Sequence, residues 1–253
     1  MDTCRSTSYS RRMYGSFYVR LVASCVFVAI AASSSAQTAS SPSGDTSSKA
    51  LMGQLVTLRD SFVNQVKAEG FQPSLPPPTI VLDNPPSYGN YEDDKNLLHI
   101  AAWAALTPED QARFSRVAAM LGGGQTGEQT FEEGVHHWVF VHEMGHWWQA
   151  CQHKTNENHY SVEYGANRIA AAYWRLKDPT FMERTGKNMA TIYAAVPNPI
   201  PEGQSPQAYF NENYEKLGPT PAYRWYQYSM VLKVQAEEPL PSLLQALQHP
   251  TYQ

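Results

Sequence analysis

Apolar side chains recur every three or four residues through most of the chain after residue 50. The first such stretch, "LMGQLVTLRDSFVNQVKAEG", has Leu, Phe and Val at helical spacing and closes on Gly70. A second begins with Thr107 and Pro108 and ends in the glycines at 122–124, which is typical of a capped helix. The same spacing predicts further helices over 131–153, 157–177, 179–194, 206–216, 219–236 and 239–247.

Two short apolar runs interrupt this helical pattern. "TIVLDN" and "NLLHIAAW" are bounded by Pro, Asn and Gly, which predicts two strands joined by the connector "PPSYGNYEDDK". We expect the stretch "YGNYEDDKN" in this connector to be an edge-strand rim against which an extended substrate lies. The predicted fold class is therefore mainly α (α+β), with a small sheet that precedes the helix at 131–153.

The first 49 residues have a different pattern. Four arginines precede the run "LVASCVFVAIAA", and "SSSAQ" follows it, which is typical of a secretory signal peptide over residues 1–36. The adjacent arginines in "SRRMYGS" leave a twin-arginine export signal open. The alternative is an uncleaved membrane anchor, although the apolar run is shorter than the ~20 residues that span a bilayer. We expect residues 37–49 to be a flexible leader and residues 50–253 to be a single domain.

The net charge limits the classes of binding partner, and the cysteine content limits the possible disulfide bonds. The formal net charge is −4, and removal of residues 1–36 leaves 15 basic and 22 acidic residues. Such a surface does not favour nucleic acid. Cys4 and Cys25 leave with the signal peptide, so the mature chain has Cys151 alone and forms no internal disulfide. We expect Cys151 to be a buried small apolar residue.

The stretch "VFVHEMGHWWQ" at 139–149 contains His142 and His146, four residues apart, with Glu143 directly after the first. On a helix these histidines differ by only ~40° in direction and ~6 Å in rise, so they reach one space and can share a zinc ion. Glu143 points ~100° away and can accept a proton from a zinc-bound water. The alternative is a pair of histidines that local hydrogen bonds satisfy inside a Trp-rich core.

A catalytic zinc needs a third protein ligand. The metzincin spacing, with a histidine six residues after His146, is excluded because Gln149 and Gln152 occupy the diagnostic positions. Glu163 lies on the next predicted helix, and we expect it to be the third ligand. Asn167 is one turn further on the same face, and we expect it to accept the Nδ1–H of the first histidine as a supporting contact.

The residues around the motif give three further expectations. The uncharged flanks favour a buried helix, with Trp147 and Trp148 as a wall that keeps the site dry. The nearby His136, His137, Glu157 and His159 are expected to be structural or exposed, although the last two could border the cleft. The segment "PAYRWYQYSMVLK" offers Tyr223 and Tyr226 as oxyanion donors, with core packing as the alternative role.

An HExxH motif followed by a glutamate on the next helix resembles the gluzincins. "EYGANRIAA" is similar to the E-x-x-A-N-x-x-A-A run of ImmA/IrrE-type metallopeptidases. The resemblance covers about residues 131–174. It implies a zincin-like helical domain in which His142, His146 and Glu163 hold zinc and Glu143 is the general base. This chain departs from that family in its export signal and its long aromatic C-terminal region, so the family's substrate does not carry over.

Two hypotheses follow. The first is an exported zinc metallopeptidase, periplasmic or secreted, which hydrolyses peptide bonds in a peptide or protein substrate and has no stable membrane span after signal removal. The second is a non-catalytic exported binding protein with a structural or vestigial zinc site. Glu143 favours the enzyme, because a purely structural site needs no acid beside its ligands.

Overall fold

The computed structural model describes residues 43–155, 157–218 and 220–251, so the predicted signal peptide lies outside the described residues. The π-helical segment Glu132–Val139 joins the helices Gly127–Phe131 and Phe140–Cys151 without a break. The mainly helical fold class is confirmed. The α-helices are α1 Ser43–Ala68, α2 Pro108–Leu121, α3 Gly127–Phe131, α4 Phe140–Cys151, α5 His159–Lys177, α6 Pro179–Ala195, α7 Pro206–Leu217, α8 Pro221–Gln235 and α9 Leu243–Gln248.

The sheet has three strands in the described chain, in the order β1-β3-β2: β1 Thr79–Asp83, β2 Gly89–Glu92 and β3 Leu97–Ala101. β1 pairs with β3 in parallel, and β2 pairs with β3 antiparallel. β2 lies in the connector that was predicted to join two strands, and it occupies the edge of the sheet as expected. Its sequence "GNYE" contains one strongly β-forming residue, which is why the pattern gave no separate strand.

Four of the helices begin with the same short sequence pattern, a capping residue followed by proline. Thr107, Asp178, Ser205 and Thr220 each precede a proline, and each side chain accepts a backbone N–H of the first turn. Proline is suited to the first helical position, where no N–H is needed. α2 ends at Gly122, whose φ of 70° is the left-handed conformation that glycine adopts most easily. These local signals place the predicted helices within a few residues of the observed ones.

α1 begins at Ser43, earlier than the predicted start of the fold near residue 50. The prediction of a flexible leader over 37–49 is therefore corrected for residues 43–49, which are helical. Ser and Thr are weak helix formers, but extending an existing helix through each of them costs only about half a kcal/mol. The apolar face of α1 behaves as predicted, since Leu55, Phe62 and Val66 are buried.

α5 is the central helix of the domain. It packs against α4, α6, α8 and α9, and its side chains Ile169, Ala170 and Tyr173 are buried. α1 packs against both α4 and α5, since the Phe62 ring lies 6.4 Å from Trp147 of α4 and 5.3 Å from Tyr173 of α5. The pair α4–α5 is thus enclosed by other helices and can hold side chains in fixed positions.

Three smaller expectations can be checked in the described chain. Cys151 is buried, as predicted. His136 is also buried, and its Nε2 lies 2.8 Å from the Ala101 carbonyl oxygen, so it ties the π-helical segment to β3. The exposed His137 packs edge-on against Phe181. Between residues 43 and 251, as far as the structure describes them, no helix has the length and apolar character to cross a membrane.

Candidate metal centre

Small residues let α4 and α5 approach closely at the motif. A Cβ atom added at Gly145 would lie 3.1 Å from the Cα atom of Ala166, which is tighter than ordinary packing. Gly145 is the fourth residue of the HEMGH motif, and Ala166 lies between the predicted ligand and Asn167. This close approach brings the histidines of α4 and the glutamate of α5 to one point.

The three predicted ligand side chains converge in the structure. His142 Nε2 lies 3.1 Å from His146 Nε2, and Glu163 Oε2 lies 3.2 Å and 3.7 Å from these two nitrogens. Ligands at ~2.0–2.1 Å around a tetrahedral ion are separated by ~3.3 Å, so the observed triangle has the size that zinc requires. The group could therefore hold a metal ion.

Asn167 fixes the orientation of the His142 ring. The Asn167 amide nitrogen donates to the Glu163 carbonyl at 3.0 Å and to Gln227 Oε1 at 2.8 Å. Its oxygen is therefore the atom that faces His142 Nδ1, at 3.2 Å, and it accepts the Nδ1–H. Nε2 is then the nitrogen that faces the shared point. This contact is the one predicted for Asn167.

Gln149 does the same for His146. Its amide nitrogen donates to the carbonyls of Val162 and Pro250, each at 2.7 Å, so its oxygen accepts from His146 Nδ1 at 2.8 Å. Sequence reasoning used Gln149 only to exclude the metzincin spacing and missed this role. The signal was present, because Gln149 follows His146 by three residues and lies on the same helical face.

The electrostatic environment where the three side chains meet favours a bound cation. The two Nε2 atoms and the Glu163 carboxylate face each other, and Glu163 is only 3% exposed. Burial raises the pKa of Glu163, but the two imidazoles outweigh it and hold that pKa well below its usual range. Burial likewise lowers the pKa of His146, and Glu163 outweighs it and raises the pKa to about 9. A cation at the shared point would satisfy all three groups.

Glu143 lies beside this group without belonging to it. Its carboxylate is 7% exposed, and its Oε2 accepts the backbone N–H of Tyr91 in β2 at 2.9 Å. Burial raises the pKa of Glu143, and the two neighbouring histidines act in the opposite direction. The side chain therefore occupies the position predicted for it, next to the ligands and turned towards the edge strand.

Gly89 allows β2 to lie against α4. A Cβ atom at this position would lie 2.4 Å from Val139 Cγ1 and 3.3 Å from Glu143 Cγ, so any larger residue would displace the strand or the glutamate. The glycine thus gives Tyr91 its contact with Glu143. Sequence reasoning placed this residue in the connector and assigned it no role, because the requirement arises only from the tertiary contact with α4.

Glu163 is held by residues from α7 and α8 that the sequence analysis did not single out. The Tyr214 hydroxyl donates to Glu163 Oε1 at 2.8 Å, and Gln227 Nε2 donates to Oε2 at 2.8 Å. The His159 ring stacks on the Tyr214 ring, with centroids 3.9 Å apart. His159 also lines the cleft, which was one of the two positions predicted for it. The contacts with Glu163 join residues about fifty to sixty positions apart in the chain, so no local sequence pattern predicts them.

The two tyrosines proposed as oxyanion donors have different positions. Tyr223 lines the cleft near Glu163. Burial, followed by the Glu163 charge, raises the pKa of Tyr223 well above its ordinary value, so the hydroxyl stays protonated. Tyr226 is fully buried against Phe210, and its hydroxyl donates to the Pro206 carbonyl at 3.0 Å. The expectation that Tyr226 faces the site is wrong, because α7 covers that part of α8.

A cleft of about 1180 Å³ opens onto the metal centre. The consecutive residues 85–93, which include β2, form one wall, and residues of α2, α6 and α8 form the others. Trp147 and Trp148 are absent from the described residues that line it, so their predicted role as a wall is wrong. Both point ~100° or more away from the neighbouring His146 and are fully buried on the core side of α4.

Comparison of the chain with protein-family models, with curated proteins and with solved structures finds no match.

Proposed function

We propose that the protein is an exported zinc-dependent metallopeptidase in which His142, His146 and Glu163 hold the ion and Glu143 is the general base. The observation that carries this proposal is the pair of side-chain amides behind the histidines. They fix both rings so that each Nε2 lone pair faces the same carboxylate oxygen, while a separate buried carboxylate stands beside the group. Export is proposed from the signal-like residues 1–36.

A zinc ion held by His142, His146 and Glu163 would supply Lewis acidity, which makes water a stronger acid and polarises a carbonyl group. Glu143 takes a proton from the attacking water, whose oxygen forms a bond to the peptide carbonyl carbon. The C–N bond then breaks, and Glu143 returns the proton to the leaving nitrogen. The products are one new carboxyl group and one new amine, and Glu143 ends in its starting state.

Two further parts of the cleft fit this reaction. Tyr223 carries a hydroxyl beside Glu163 and is proposed to donate to the negative charge that develops on the carbonyl oxygen. β2 is an edge strand whose residues line the cleft, and an extended peptide is proposed to lie along it. Tyr91 links this strand to the general base, because it belongs to β2 and its backbone N–H donates to Glu143.

The alternative of a non-catalytic binding protein fits the geometry less well. Structural zinc sites are closed by four protein ligands, whereas the three ligands here face an open cleft. Burying Glu143 also costs free energy, and a structural site gains nothing from that cost. Both observations favour the enzyme.

The test is digestion of a peptide library by the zinc-loaded mature chain and by its Glu143→Gln variant. We expect the wild type to cleave and the variant to lose about 10²–10⁴-fold in rate while it keeps its zinc, because the amide cannot accept a proton. Glu132→Gln is the matched control, since Glu132 is exposed on the same continuous helix and is outside the described cleft wall. Equal cleavage by wild type and Glu143→Gln would overturn the proposal.

A further inference from the structure

The cleft has a cationic end formed by α2 and α8. Arg113 of α2 and Arg224 of α8 both line it. Their charges interact, since burial and then the nearby Arg224 lower the pKa of Arg113. Asp110 pairs with Arg113 at 2.8 Å. Glu133, another acid in the wall, pairs with Arg184 at 2.9 Å.

The geometry of α8 connects this cationic end to the metal centre. Tyr223 and Gln227 are four residues apart, and both contact Glu163. Arg224 and Tyr228 follow each of them by one residue, so they form the next stripe, ~100° around the helix. Both stripes line the same cleft. The arginine end therefore adjoins the catalytic group.

The arginine end also lies at the start of β2. The Arg113 guanidinium lies over the Tyr88 ring at 5.3 Å, and the Tyr88 hydroxyl donates to Asp110. Tyr88 immediately precedes β2, and Tyr91, which binds the general base, is three residues later, so the two are at most ~11 Å apart along the chain. A peptide beside β2 thus has its reactive bond near Tyr91 and reaches Arg113 two to three residues away.

The opposite end of β2 is acidic. Glu92 and Asp93 line the cleft there, and the Thr155 hydroxyl donates to Asp93 at 2.9 Å. Asp83 lies level with the start of β2 instead, where it pairs with His99 at 2.6 Å. Glu92 also pairs with Lys95, so part of its charge is offset. The cleft therefore changes from positive near Tyr88 to negative near Asp93. A peptide that runs antiparallel to β2 places its carboxyl side at the arginines and its amino side at the acids.

We propose that Arg113 and Arg224 form a subsite for a substrate carboxylate two to three residues on the C-terminal side of the cleaved bond. The carboxylate comes either from the peptide's own C-terminus or from an Asp or Glu side chain. The inference rests on the proposed function for the position of the cleaved bond. The subsite itself rests on the charges in the cleft wall.

Binding tests the subsite without turnover. The zinc-loaded Glu143→Gln protein is titrated with fluorescent peptides that carry either Glu or Gln at the third position after the expected cleavage site, each with an amidated C-terminus. A third peptide has Gln and a free C-terminus at that position. We expect a carboxylate from at least one source to tighten Kd about ten- to a hundredfold over the amidated Gln peptide.

Arg224→Met and Arg113→Met, each introduced into this protein, should abolish the preference and leave binding of the neutral peptide within about threefold. Lys187→Met is the matched control, because Lys187 is exposed on α6 and is paired with Glu183 outside the described cleft wall. Thermal melting establishes that each variant is folded. Absence of a preference for either carboxylate, or a preference that survives in folded forms of both arginine variants, would overturn the subsite.

Hydrolysis of the same peptides by the wild type separates this inference from the proposed function. Cleavage that depends on Glu143 but ignores the carboxylate leaves the peptidase proposal standing and overturns the subsite. A carboxylate preference in binding without any cleavage supports the subsite and overturns the peptidase proposal. The peptide that gains most in kcat/KM identifies which source of carboxylate the cleft uses.

Discussion

The two faces of α4 are chemically opposite: Trp147 and Trp148 on one face are fully buried, whereas His146 on the other opens onto the cleft. On the core face, Trp147 Nε1 donates to the Pro76 carbonyl at 3.0 Å and Trp148 Nε1 donates to Leu247 at 2.9 Å, so the polar atoms are fully used inside the protein. On the cleft face, Asn167 and Gln149 use one nitrogen of each histidine and leave the other directed at Glu163. Metal binding or catalysis is expected on the face whose histidines each have a second ring nitrogen available, and among the described residues of α4 this is the cleft face.

The largest effect on stability should come from the core face. Trp147→Ala removes a fully buried ring that packs on Phe62 and should lower the free energy of unfolding by about 3–5 kcal/mol. Zinc affinity of the remaining folded protein should change by less than about threefold, because the ring is outside the described cleft wall. Denaturant unfolding and competition with a chromophoric chelator measure the two quantities. A large loss of zinc affinity in folded Trp147→Ala would show that the faces are coupled.

Gly145→Val should affect both faces together. The added side chain would meet Ala166 at the α4–α5 crossing and push the helices apart, which should cost about 1–3 kcal/mol of stability. The same displacement separates Glu163 from the histidines, so zinc binding should weaken as well. The same unfolding and chelator measurements apply, with Gly134→Val as control, because a Cβ atom at Gly134 meets nothing within 4 Å. Unchanged zinc affinity would contradict the role given to this crossing.

Asn167→Leu should act on the cleft face. The substitution removes the acceptor that fixes His142, and zinc affinity should fall about 10–100-fold. Asn64→Leu serves as a control for the amide-to-alkyl change, because Asn64 is exposed on α1. Isothermal titration with zinc gives the affinities. If Asn167→Leu binds zinc like the wild type, the histidine orientation does not depend on the amide.

Gly89→Ala should have the smallest effect. The new methyl group would overlap Val139 and touch Glu143, so β2 or the Val139 side chain must move by about 1 Å. We expect about a three- to tenfold loss of kcat with zinc affinity unchanged, since a small misplacement of the general base slows proton transfer. Steady-state hydrolysis beside a zinc titration makes this measurement. Loss of zinc with full activity per bound ion would assign Gly89 to the metal site instead.

The sequence predicted the parts of the site that depend on local spacing. His142 and His146 share a face because they are four residues apart, and Glu163 and Asn167 share a face for the same reason. The cap at Thr107 and the three other cap-plus-proline helix starts are likewise determined by a few consecutive residues. The structure brings the predicted ligands together and makes the predicted contact from Asn167 to His142.

The rest depended on contacts between distant segments. Tyr214 and Gln227 reach Glu163 only because α7 and α8 fold over α5, and no periodicity encodes that arrangement. Tyr226 was misplaced for the same reason, since the face of α8 that it occupies is covered by α7. The tryptophans were misplaced by a different error: an apolar flank was taken as a cleft wall, although a helix with one face towards a cleft needs its other face for the core.

The zinc content of the mature chain tests the central claim most directly. Wild-type protein and Glu163→Gln are equilibrated with nanomolar free zinc, separated from unbound metal, and analysed by inductively coupled plasma mass spectrometry. One zinc ion per chain is predicted for the wild type, with a loss of most of it in Glu163→Gln. A wild-type chain without stoichiometric zinc, or equal zinc in the folded variant, would contradict the account.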